Sequence, residues 1–92
     1  MTWIDTTSYP RGTQGQRPPT EWTLKAGNIL VCVHRYLDLP GWFLSCFQLN
    51  LDRKKLQAED LKLAQVEALT FLLDTVRHLE QDLKTAIASQ VR

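Results

Sequence analysis

Between Glu21 and Ala26 apolar and polar positions alternate, Trp22 and Leu24 against Thr23 and Lys25, the period-two pattern of a strand with one buried face. Gly27-Asn28 predicts a turn. The next run, Ile29 to Tyr36, is rich in β-branched and aromatic residues. Ile29, Val31 and Val33 fall on one face and Leu30, Cys32, His34 and Tyr36 on the other, which predicts a central strand at least half buried on both sides. Asp38-Leu39-Pro40-Gly41 supplies a second turn, and Trp42 to Leu49 returns as the next strand. Residues 21–49 therefore predict an antiparallel sheet of three strands, or four if another segment joins them.

Beyond the strands the period changes from two to 3.6. Arg53-Lys54-Lys55 would oppose the positive end of a helix dipole and Glu59-Asp60 would complement it, so the pattern starts a helix near Ala58 and carries it to about Ser89, with no Gly or Pro between. Leu61, Leu63, Ala64, Val66, Ala68, Leu69, Phe71, Leu72 and Leu73 make a broad stripe suited to a sheet. Leu69, Leu72, Val76, Leu79, Leu83 and Ala86 then step by three and four, the narrow seam of helix meeting helix. A hairpin bend near Thr75 and self-association through the seam are both open. The predicted fold class is α+β: a small antiparallel sheet with a long C-terminal helix, or helical hairpin, on one face.

Residues 1–20 show neither period and are rich in Thr, Gly, Gln and Pro, which predicts an irregular N-terminal arm. Trp3 and Tyr9 stand out there, because an aromatic in a solvated tail finds a surface to lie on: the chain's own sheet or a partner. With 92 residues the chain makes one domain, and 43% hydrophobic residues are enough for one modest core. No signal-like N-terminus or membrane-length apolar run is present, so the chain is expected to be cytosolic, with Cys32 and Cys46 as thiols rather than a bridge.

Charge changes the picture in one respect. Met1–Gln57 holds seven Lys/Arg against four Asp/Glu, whereas Ala58–Arg92 holds four against six, so basic character belongs to the first half of a chain whose net charge is only +1. That imbalance is small for a dedicated DNA-binding domain and of the wrong sign for an acidic mimic of nucleic acid. It favours a protein surface as partner, with some phosphate. The candidate partner-binding residues are Arg53, Lys54 and Lys55, expected in a solvated connection, with Arg35, Lys25, Arg11 and Arg17 extending the field, and Trp3 and Tyr9 as aromatic contacts of the arm. Arginine suits phosphate because its planar fork bonds two oxygens at once. Glu67, Asp74, Arg77, Glu80, Asp82 and Lys84 read as a solvated helix face.

The run from Val31 to Cys46 concentrates both cysteines, His34 and Trp42. Were Cys46 opposite Cys32, those thiols and His34 could meet a metal, but a fourth ligand and the paired-cysteine spacings of zinc sites are lacking. Side chains two apart on a strand lie roughly 6–7 Å apart, too far for direct proton transfer between Cys32 and His34. No phosphate loop or paired carboxylates appear. The expectation is no catalysis, no metal, no cofactor and no small-molecule substrate.

The segment "EWTLKAGNILVCVHRYLDLPGWFLSCFQLNLDRKKLQAEDLKLAQVEAL", Glu21 to Leu69, with its hairpin "VHR…GWFLSC" and helix "DLKLAQVEAL", resembles the small orphan proteins of phages and mobile elements. In size and layout it is similar to the anti-CRISPR proteins that act on type I-F systems. The resemblance implies a non-enzymatic inhibitor in the bacterial host cytoplasm. Its partner would be a multi-subunit protein–RNA surveillance complex, with contact to the guide RNA open, and it would block recognition of target DNA. Two other classes stay in view: a single-stranded nucleic-acid-binding accessory protein, and a structural module that forms a homodimer through the helical seam.

Overall fold

The computed structural model describes residues 1–9 and 18–91. Five strands form one antiparallel sheet in simple sequence order: β1 (Ile4–Asp5), β2 (Glu21–Ala26), β3 (Ile29–His34), β4 (Phe43–Cys46) and β5 (Leu51–Lys55). The sheet is followed by α1 (Leu61–Gln90), the single α-helix among the described residues. The class is α+β as the pattern predicts, but the sheet has five strands where the pattern predicts three or four. β1 comes out of the arm expected to be irregular, where Ile4 pairs with Thr23 and Asp5 with Trp22. β5 contains Arg53-Lys54-Lys55, which were expected in a solvated connection. Both lie at sheet edges, where little burial is required and hydrophobic alternation carries no signal.

The β2–β3 turn has Gly27 at φ 61, a first central position that favours glycine in a hairpin turn of this hand. β4 ends at Cys46, sooner than predicted, and Phe47–Leu49 forms one 3-10 turn that closes on Asn50 in left-handed conformation. Between β4 and β5 the register shifts, and Arg53 takes φ 53 at this bulge. The register pairs Cys32 with Ser45, not with Cys46. Cys46 consequently points to the opposite face of the sheet, which corrects the convergence of two thiols and His34 considered from sequence.

One face of the sheet is covered. Leu24, Val31, Val33, Leu44 and Cys46 meet Ala64, Ala68 and Leu72 of α1, with Trp42 and Leu56 at one end and Trp3 and Trp22 packed against the cluster. Ala64 and Ala68 are fully buried, and their small side chains let the helix lie close on the strands. Leu63, Val66 and Leu73, counted in the sheet-facing stripe, are mostly exposed; the buried stripe is narrower because only one side of the helix touches strands.

The helix starts three residues later than predicted. Asp60 is its N-cap, its carboxylate accepting from the Leu63 amide at 3.1 Å. The preceding loop is clasped by Glu67, whose carboxylate accepts from the amides of Gln57 (2.9 Å) and Ala58 (2.8 Å). Glu67 is half-buried and structural, not a solvated charge. The helix runs unbroken through Thr75, so there is no hairpin, and every residue from Val76 to Val91 is exposed. Those last four turns extend about 22 Å past the sheet, in a molecule 63 Å long and 24 Å wide. Among the described residues no helix is long and apolar enough to cross a membrane.

Candidate functional site

Strand alternation divides the sheet's side chains. The face away from α1 carries Ile4, Glu21, Thr23, Lys25, Leu30, Cys32, His34, Phe43, Ser45 and Lys55, following the pairings Thr23–Cys32, Glu21–His34, His34–Phe43 and Phe43–Lys55. Among the described residues no helix covers this face. At its centre His34, Tyr36 and Phe43 cluster, with ring centroids 5.3 Å apart for Tyr36–Phe43 and 5.6 Å for His34–Tyr36. Lys55 reaches over Phe43 with its ammonium 5.9 Å from the ring centroid. Beside them a shallow hollow of about 330 Å³ is lined by Glu21, Cys32, His34, Ser45, Asp52 and Arg53, among others. Phe47 on its rim is 80% exposed.

Ser45 organises the hollow. Its hydroxyl accepts from the Arg53 amide at 3.0 Å and lies 2.9 Å from Nε2 of His34. The hydroxyl oxygen has a second lone pair as well as its proton, so it can accept from Nε2–H or donate to a bare Nε2, according to the tautomer of His34. Burial pushes the His34 pKa down, with Arg53 adding to the effect and Glu21 and Asp52 opposing it. A serine facing a neutral imidazole has the form of a nucleophile and its base. Here, however, Ser45 is buried and holds the β4–β5 bulge, and Glu21 acts on His34 through its charge rather than by orienting the ring. The arrangement is a polar staple under an aromatic surface.

Cys32 is no better suited to nucleophilic chemistry. Burial, reinforced by the charge of Glu21, pushes its thiol up to about 12, so the thiolate is scarce at neutral pH. Cys32 and Cys46 are both free thiols, and among the described residues no group of three or more His, Cys, Asp or Glu is placed to hold a metal ion.

The cations named from sequence do not form one patch. Arg53 and Lys55 belong to the uncovered face, where Arg53 bonds Asp52 at 3.2 Å and its charge is strengthened by Asp52 and by Tyr36. Lys54 alternates to the helix side, its ammonium 4.6 Å from the centre of the Phe71 ring. Arg35 also lies on that side, over the Trp42 ring at 5.7 Å; it does not extend the field of β5. Lys25 is exposed on β2, separated from β5 by two strands. Arg11 and Arg17 lie outside the described residues. Trp3 packs against the chain's own core, and the Tyr9 hydroxyl donates to Asp5 at 2.7 Å. Sequence reasoning missed Ser45, Tyr36, Phe43 and Phe47 as members of one surface; the alternation was legible, but it left the register between β3 and β4 open.

A hollow of about 620 Å³ lies where the helix leaves the sheet, between Gln48, Leu49 and the segment 71–82, with Asp74 and Asp82 in its lining. No family model, curated protein or solved structure matches the chain.

Proposed function

We propose that the protein acts by adhesion, as a phage-type inhibitor that binds the type I-F CRISPR RNA-guided surveillance complex of a bacterial host and keeps target DNA from pairing with the guide. The observation that carries this reading is the β5 edge: among the described residues, an edge strand bearing Arg53 and Lys55 beside an aromatic sheet face that no helix covers. Cations, exposed aromatic rings and unpaired strand amides are what a protein needs to grip a surface made of protein and RNA together. The resemblance of Glu21–Leu69 to type I-F inhibitors supplies the partner. Cys32 held as a thiol and Ser45 buried beneath the surface favour binding over turnover.

The test is co-purification. The tagged chain should retain the type I-F surveillance complex at a near-stoichiometric ratio and abolish its binding of target DNA, and Lys55→Glu should weaken both. Elution of the chain and the complex as separate species from a sizing column rejects the proposal.

A second reading, a single-stranded nucleic-acid binder, is favoured by Tyr36, Phe43 and Phe47 on one open sheet face, a layout on which bases can stack. It requires a salt-sensitive mobility shift on naked single-stranded RNA or DNA. The inhibitor reading requires little or none.

A further inference from the structure

The connection between β3 and β4, residues 35–42, builds a second hollow of about 280 Å³ at one end of the sheet, which shares Tyr36 with the aromatic surface. Arg35, Leu37, Leu39, Pro40, Trp42 and Glu59 line it, together with Tyr36 and Gly41. Arg35 is fixed at its base, because its amide donates to the Thr20 carbonyl at 2.9 Å and so continues the β2–β3 ladder. Trp42 is fixed as well: it is buried, and its indole N–H donates to the Glu59 carbonyl at 3.1 Å.

The guanidinium of Arg35 lies over the Trp42 ring, a contact that steadies its charge but uses none of its N–H groups. Its Nε is buried and has no hydrogen-bond acceptor. Arg35 is in neither ion pair found among the described residues, although Glu59 lines the same hollow, and the segment 10–17 contains no Asp or Glu that could serve it. A buried arginine Nε–H without an acceptor is uncommon, since buried polar groups are nearly always paired. The walls around it are aliphatic and exposed: Leu37 is 70% and Leu39 53% accessible.

We propose that Arg35, seated on Trp42, is the floor of a carboxylate-binding subsite that takes an acidic side chain of a protein partner, with an apolar neighbour of that side chain resting on Leu37, Leu39 and Pro40. Arginine and tryptophan in one half-enclosed hollow are the residue types in which binding energy concentrates. A nucleic-acid backbone fits less well, because it presents repeated phosphates whereas this hollow offers one cation and faces Glu59. The subsite rests on the reading of the protein as one that acts by binding a protein surface, and it adds a contact at the β3–β4 connection.

The test uses the full chain labelled with nitrogen-15, following the Arg35 Nε–H and Trp42 indole N–H resonances while a capped dipeptide, acetyl-Leu-Glu-amide, is added. A saturable shift of both signals is expected. Acetyl-Leu-Gln-amide should bind roughly tenfold more weakly, as the loss of a charge-assisted pair implies. Arg35→Lys, which keeps the charge but not the fork, should weaken the acidic peptide, and Leu39→Ala should weaken it without altering the response to acetate. Both variants are checked for native amide spectra; Leu39 is exposed and keeps the test open if Arg35→Lys disturbs folding. Absence of a saturable shift, equal binding of the glutamine peptide, or inorganic phosphate binding more tightly than the acidic peptide overturns the subsite. A peptide response without capture of the surveillance complex leaves the subsite standing and rejects the partner. Capture without a peptide response does the reverse.

Discussion

His34 is the residue through which pH should act on this fold. Its pKa lies below the ordinary 6.5 because the neutral ring is the buried form, so between those two values the unfolded chain binds more protons than the folded one. Stability therefore rises with pH across that window, is fully present above about 6.5, and is lost as pH falls through the depressed value. Urea midpoints compared between about pH 7.5 and pH 5.5 should show the loss, and His34→Gln should flatten it. An equal slope in wild type and variant would place the linkage on another group. Cys32 makes a second residue-level prediction. With its thiol pushed up to about 12, its alkylation by iodoacetamide at neutral pH should be far slower in the folded protein than after denaturation. Reaction at the rate of a free thiol would show the open face to be more solvated than its packing implies.

At the scale of the element, two devices set the edges of the sheet. The β4–β5 bulge puts Arg53 at φ 53, a conformation that favours glycine over a side chain with a Cβ. Arg53→Gly should leave stability unchanged or raise it by about 0.5–1 kcal/mol, the relief of strain offsetting the freedom glycine gains when unfolded. A β-branched Arg53→Val should instead cost about 1–3 kcal/mol. Thermal or urea unfolding of the pair checks the sign; if both variants lose stability equally, the Arg53 side chain matters more than its backbone. The second device is Glu67, which clasps the amides of Gln57 and Ala58 across the turn into the helix. Glu67→Ala should cost roughly 1.5–3 kcal/mol, because charge-assisted bonds to two main-chain donors are lost together. A loss no larger than that of an ordinary surface change would mean the loop holds without it.

At the scale of the whole molecule, folding and overhang separate. The sheet and the helix up to Thr75 form the core, while Val76, Leu79, Leu83 and Ile87 keep an apolar seam in solvent, each between 43% and 63% exposed. Leu44→Ala, at a fully buried position, should cost about 2–5 kcal/mol. Leu83→Lys should change folding stability by less than about 0.5 kcal/mol, measured on the same unfolding curve. Self-association through the seam predicts a doubled mass by light scattering that Leu79→Lys or Leu83→Lys returns to the single-chain value. A mass that these variants leave unchanged removes the seam as an interface.

The strands β2, β3 and β4 and the long helix were legible because each has a buried side and an exposed side, and burial is what writes a period of two or 3.6 into a chain. The turns at Gly27 and Gly41 were legible for a related reason: both sit at positive φ, where glycine is the ready residue. The edge strands were not. Leu51-Asp52-Arg53-Lys54-Lys55 has one partly buried residue, and β1 is two residues long, so neither needs the alternation that would announce it. The candidate surface was legible only in part. Arg53 and Lys55 were named, but whether they share a face with Tyr36 and Phe43, and whether Lys54 and Arg35 turn away, depends on register and on one bulge. Composition and periodicity determine which residues need burial and hence the α+β class. Which polar residues meet is decided by hydrogen-bond pairing between strands distant in sequence, where a shift of one residue sends a side chain to the other side of the sheet.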